Sequence, residues 1–148
     1  MKSVLISAGL VRFGVVVGLS LSLNVSAAVA DVVVVVSVKN PVTTLSKYEI
    51  VDIFLGKANH FPDGSQVVAI DQDEGSAARN EFYASFAGKS DAQLKAYWSK
   101  IIFTGRGRPP EHVSNDSAVR KFLGNNPNAI GYIERKLVDD SVKVVLTQ

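Results

Sequence analysis

Six of the seven residues from Val32 to Val38 are valine, and the seventh is Ser37. β-branched side chains favour strands, and successive residues of a strand point to opposite faces. An unbroken apolar run therefore needs cover on both faces, which a one-sided sheet does not provide. The run predicts an interior strand with helices on either side. Later segments supply those helices. Asn40-Pro41 breaks the strand, and Ser46-Lys47-Tyr48-Glu49 is a capping box that opens a helix burying Ile50, Val51, Phe54 and Leu55, with Gly56 ending it. Phe61-Pro62-Asp63-Gly64 is turn chemistry, and Val67 to Ile70 is a second apolar strand. The polar segment Asp71 to Ser76 leads into a helix with Phe82, Tyr83 and Phe86 inward and Gly88 after it. A second capping box, Ser90 to Gln93, starts a helix with Leu94, Tyr97, Trp98, Ile101 and Ile102 along its apolar stripe. An irregular loop from Thr104 to Pro110, a short helix over 117–123, and strands over 130–133 and 142–146 complete a single α/β domain.

The N-terminal thirty residues have a different character. Lys2 and Arg12 precede the apolar run Phe13 to Leu23, which is shorter than the roughly 20 residues a membrane span requires. Small-x-small sites follow at Val25-Ser26-Ala27 and Ala28-Val29-Ala30. The pattern is that of a secretory signal peptide over residues 1–30, cleaved after Ala30, with the domain occupying 31–148. The expected address is the periplasm, with full secretion as the variant of it. Lys2 and Arg12 are the only charges in the signal, so 14 basic and 14 acidic residues balance in what remains. No global field is left to attract nucleic acid or an anionic membrane, and no membrane insertion is expected after cleavage. The chain has no cysteine. Disulfides, a lipobox and a thiol nucleophile are excluded together. His60 and His112 lack ligand-spaced companions, so no metal or cofactor is expected, and no nucleophile elbow points to an enzyme.

The densest chemistry lies in Glu74-Gly75-Ser76-Ala77-Ala78-Arg79. A strand, a glycine turn and a helix start form a natural anion site, because the first helical N–H groups lack intrahelical partners and the dipole favours negative charge. A plain capped helix with a surface arginine fits the same residues. Asp71, Asp73 and Glu74 beside it have the oxygen donors of a hard-cation site without the rest of an EF-hand pattern. Arg106 and Arg108, with Thr104 and Gly105, form either a phosphate- or partner-binding loop or a solvated one.

Asn40-Pro41, the stretch Ile50 to Lys57 with its Ile53-Phe54-Leu55-Gly56-Lys57, the helix start at Gly75-Ser76, and Ala129-Ile130-Gly131-Tyr132 occur together and in order. In this the chain resembles the phosphate-binding proteins of ABC importers over nearly its whole domain. The resemblance implies one lobe of a type 2 periplasmic-binding-protein-like fold, a mixed sheet flanked by helices. It implies ligand contacts from Gln72, Gly75, Ser76, Ala77 and Arg79, and a small oxyanion such as phosphate as the ligand, taken up for ABC-type transport. The family's Ser-Gly-Thr stands here as Ser76-Ala77-Ala78, and its arginine four residues before the serine stands as Gln72. The alternative reading is a non-transport interaction module whose single lobe binds an envelope protein, and the protein partner expected across the two readings is an envelope or transporter protein.

Overall fold

The structure, a computed structural model, describes Gly9 and residues 31–146. The signal read from residues 1–30 lies, apart from Gly9, outside the described residues. Five strands form one sheet: β1 (Val32–Ser37), β2 (Val68–Gln72), β3 (Glu111–Val113), β4 (Ala129–Glu134) and β5 (Val142–Val144), in the order β3-β2-β4-β1-β5. β2 runs parallel to both β3 and β4, whereas β1 is antiparallel to β4 and β5. The sheet is therefore mixed. Four helices cover it: α1 (Lys47–Phe54), α2 (Ala77–Ala87), α3 (Asp91–Phe103) and α4 (Asp116–Asn125).

The valine run behaves as its composition demands. Val34 and Val36 enter the core layer shared with α1, α2 and α3, while Val33 and Val35 enter the layer shared with α4. All four are buried. The larger layer is organised around aromatic rings. Phe82 stacks on Tyr132 of β4 at 4.1 Å between centroids and meets Phe54 edge-on at 4.7 Å. Pairs of this kind contribute about 0.5–1.5 kcal/mol beyond their buried area. Gly131, between Ile130 and Tyr132, faces the other layer. A Cβ there would lie 2.7 Å from Val119 Cγ1 and 3.0 Å from Ile70 Cγ2, so α4 sits close on the sheet only because this residue has no side chain.

Both capping boxes form. Ser46 Oγ accepts from Glu49 N–H while Glu49 Oε2 accepts from Ser46 N–H, and Ser90 and Gln93 repeat the arrangement. Tyr97 Oη donates to Leu55 O at 2.6 Å, which ties α3 to the end of α1. Three expectations change. Ile53 joins Ile50 and Phe54 in the buried face of α1, whereas Val51 is half-buried. Ile102 is exposed at the cleft rim, while Ile101 beside it in the last turn of α3 packs against the core. β2 extends through Asp71 and Gln72, and Glu111–Val113, just past the irregular loop, pairs with it as the edge strand β3. Three polar-rich residues carry no periodicity from which such a strand is read.

Candidate functional site

β2, β3 and the start of α2 enclose a cleft of about 620 Å³ at the carboxyl end of the parallel strands. Ligands of open α/β sheets bind at this end. Its lining includes Asp71, Gln72, Asp73 and Glu74 from the β2–α2 connection, Arg79 from α2, Lys95, Trp98 and Ile102 from α3, and Pro109, Pro110 and His112. Of the five predicted contacts, Gln72 and Arg79 line the cleft. Gly75, Ser76 and Ala77 form the turn and first helical position beside it.

Asp71 and Gln72 are adjacent on β2 and both are buried, although their polarity reads as a solvated loop. Partners explain their burial. The Asp71 carboxylate accepts from Tyr83 Oη at 2.7 Å, from Tyr132 Oη, and from the Gln72 N–H at 2.8 Å. Arg79 Nε lies 3.6 Å away. Burial, and then the charge of Asp71, hold both phenols well above their ordinary pKa, so they remain donors. Gln72 Nε2 donates to Asp116 Oδ1 at 2.6 Å and to Tyr132 O at 3.1 Å, which joins β2 to α4 and β4.

Gly75 adopts φ 82°, a left-handed conformation, and no neighbour would meet a Cβ there. The glycine is required by the turn and not by space. Ser76 caps α2: its Oγ accepts from Arg79 N–H at 3.0 Å and donates to Gln72 Oε1 at 3.2 Å. The N–H groups of Ala77 and Ala78, the first two of the helix, make no hydrogen bond among the described residues. Arg79 donates to Asp91 Oδ1 at 2.6 Å and lies 5.4 Å over the Tyr83 ring. Burial works against its charge, but Asp71 and Asp91 outweigh burial and hold the guanidinium pKa above its usual value. Arg79 is thus fixed in place by two carboxylates.

The remaining charges of the cleft also pair. Glu74 faces Lys95 at 3.4 Å, and Asp73 Oδ1 lies 2.5 Å from His112 Nδ1. The three carboxylates read as a possible cation cluster turn to three different partners. Among the described residues no group of three acidic or histidine side chains is placed to hold a metal.

No protein-family model matches the sequence, and no curated protein matches it. Solved structures do match in fold. A protein from Clostridium perfringens assigned as a phosphate ABC transporter substrate-binding protein, with bound phosphate, aligns at TM-score 0.62 and 24% identity over 79% of this chain and 45% of its own. An ABC-type phosphate transport receptor from Vibrio cholerae aligns at 0.63 and 21% over 78% and 45%. PstS from Borrelia burgdorferi aligns at 0.61 and 11% over 80% and 48%. The chain has the fold of these binding proteins. It spans somewhat less than half of their length, so the likeness is to one part of each. The mixed sheet flanked by helices agrees with the fold expected from the motifs.

Proposed function

We propose that this chain is a solute-binding-type lobe that recognises phosphate or a related small oxyanion at the N-terminus of α2, beside the cleft, and serves ABC-type transport from an exported location. One observation carries the reading. α1, α3 and α4 each have an acidic residue in the first turn, Glu49, Asp91 and Asp116, and α2 has none. A helix N-terminus carries about half a positive charge. In three helices a carboxylate of the chain answers it. In α2 the first turn offers the Ala77 and Ala78 N–H groups and the Arg79 side chain. The neighbouring folds, one of them with bound phosphate, support an oxyanion as the occupant. No chemistry on the ligand is proposed.

Isothermal titration of the purified protein with phosphate and with sulfate tests the reading, combined with amide chemical shifts. Saturable heat is expected, with shifts concentrated on the Gly75, Ala77 and Ala78 amides. Absence of heat at millimolar anion refutes the function. Heat accompanied by shifts elsewhere refutes the site.

A further inference from the structure

The region after the cleft wall has an unbalanced charge that the oxyanion reading does not use. Residues 92–110 contain Lys95, Lys100, Arg106 and Arg108 and no acidic residue. Lys95 pairs with Glu74 across the cleft. Lys100, Arg106 and Arg108 are exposed, and among the described residues none of them forms an ion pair. Beside them Phe103, the last residue of α3, is 92% exposed and Ile102 is 56% exposed. The chain folds back over this end of the helix. Thr104 Oγ1 donates to Lys100 O at 3.0 Å, Gly105 N–H to Ile102 O at 3.0 Å, and Arg106 N–H to Ile101 O at 3.1 Å. Residues 100–106 therefore form a compact knob, and Pro109 and Pro110 then join the cleft wall.

Two features decide what covers such a knob. Its apolar part is two protruding side chains, whereas a stable protein interface buries about 800 Å² on each partner. Its cations lack carboxylates, so the complementary surface is anionic. A protruding apolar pair flanked by free cations matches a surface that is anionic outside and apolar beneath, which is the chemistry of a phospholipid bilayer with acidic headgroups. We propose that the knob of Lys100, Ile102, Phe103, Arg106 and Arg108 seats the domain on an anionic phospholipid surface. Phe103 enters the interface, and the cations meet headgroup phosphates. The contact is interfacial, since no helix among the described residues is long and apolar enough to cross a membrane.

The absence of cysteine allows a local test. Phe103→Cys carries an environment-sensitive fluorophore, and Tyr48→Cys, at a 74% exposed position on α1, carries the same label as reference. Vesicles of phosphatidylglycerol and phosphatidylcholine in equal parts are expected to shift the emission at position 103 to the blue, saturably and reversibly with salt. The emission at position 48 stays as in buffer. Adding Arg106→Ser and Arg108→Ser to the labelled protein raises the lipid concentration for half-shift roughly thirtyfold, since each basic residue near an anionic surface contributes about fivefold. No shift at position 103 overturns the proposal. Equal shifts at both positions, equal shifts with pure phosphatidylcholine, or indifference to the arginine substitutions overturn it as well.

Discussion

α2 follows β2 and α4 follows β3, and because these strands are parallel both helices open at one end of the sheet, on opposite faces. In α4 the N-terminal charge meets Asp116, buried in the first turn and bound by the Gln72 amide. In α2 the first turn holds two alanines and an arginine, and the nearby buried carboxylate, Asp71, comes from the strand and is held by tyrosines of α2 and β4. The α4 junction is closed by its own residues. The α2 junction is braced from beneath and left without a carboxylate in the first turn of its own helix. The fold thus separates holding a helix to the sheet from answering its dipole, and does both with side chains only at α4.

The brace carries the largest expected effect. Asp71→Ala strands two buried tyrosine hydroxyls and removes one of the two carboxylates beside Arg79. Breaking a buried pair from one side costs about 3–5 kcal/mol, and a domain of this kind has about 5–15 kcal/mol in all. Urea denaturation should show a loss of that size, and a loss below about 1 kcal/mol would mean that the strand does not hold α2 in this way. The same cluster fixes the alkaline limit. Tyr83 and Tyr132 are raised above the ordinary tyrosine pKa of about 10, so the native state keeps protons the unfolded chain gives up. Their contribution is fully present below about pH 10 and is lost as pH rises above it toward their folded values. The urea midpoint should fall from there upward. In Tyr83→Phe with Tyr132→Phe the fall should be shallower, from a lower starting stability.

The α4 junction should respond less. Asp116→Ala removes the acceptor at 2.6 Å from Gln72 Nε2 but leaves the Tyr132 carbonyl at 3.1 Å, so the amide is not orphaned. The expected loss is about 1–2 kcal/mol, combining one hydrogen bond to a charged group with a dipole contribution. Phosphate binding should be unchanged. If it weakens together with stability, the two junctions are coupled through Gln72, whose Oε1 also receives Ser76 Oγ, and the division between them fails.

The elements that depend on local signals were legible in the sequence. Both capping boxes, the turn at Gly64 and the two-faced valine strand follow from residues a few positions apart. The glycine turn and serine cap at Gly75-Ser76 were legible for the same reason. Long-range pairing hid the rest. Asp71 and Gln72 read as loop because their burial depends on Tyr83, Tyr132 and Asp116, the last two more than 40 residues away. Asp116 lies just before the helix expected over 117–123. The pattern Asn115-Asp116-Ser117 does signal a helix start, but nothing local shows that its carboxylate turns inward. Ile102 fits the apolar stripe of α3, and only the position of the cleft beside that helix shows that the stripe extends past the core. Arg79 was visible as a charge, but the two carboxylates that fix it were not.

Ala77→Asp gives α2 the arrangement of α4, with the smallest change in stability and the most selective change in binding. Ala77 is exposed at the first position of the helix, so an aspartate there meets no packing obstacle. A carboxylate in a first turn stabilises by about 0.3–1 kcal/mol at low salt, and thermal unfolding should show a small gain or no loss. The phosphate heat should disappear, because the aspartate supplies the charge that the helix end otherwise offers to a ligand. Ala77→Asn, with the same shape and no charge, should retain it. Phosphate binding by Ala77→Asp equal to that of the unsubstituted protein would show that α2 and α4 differ in sequence without differing in use.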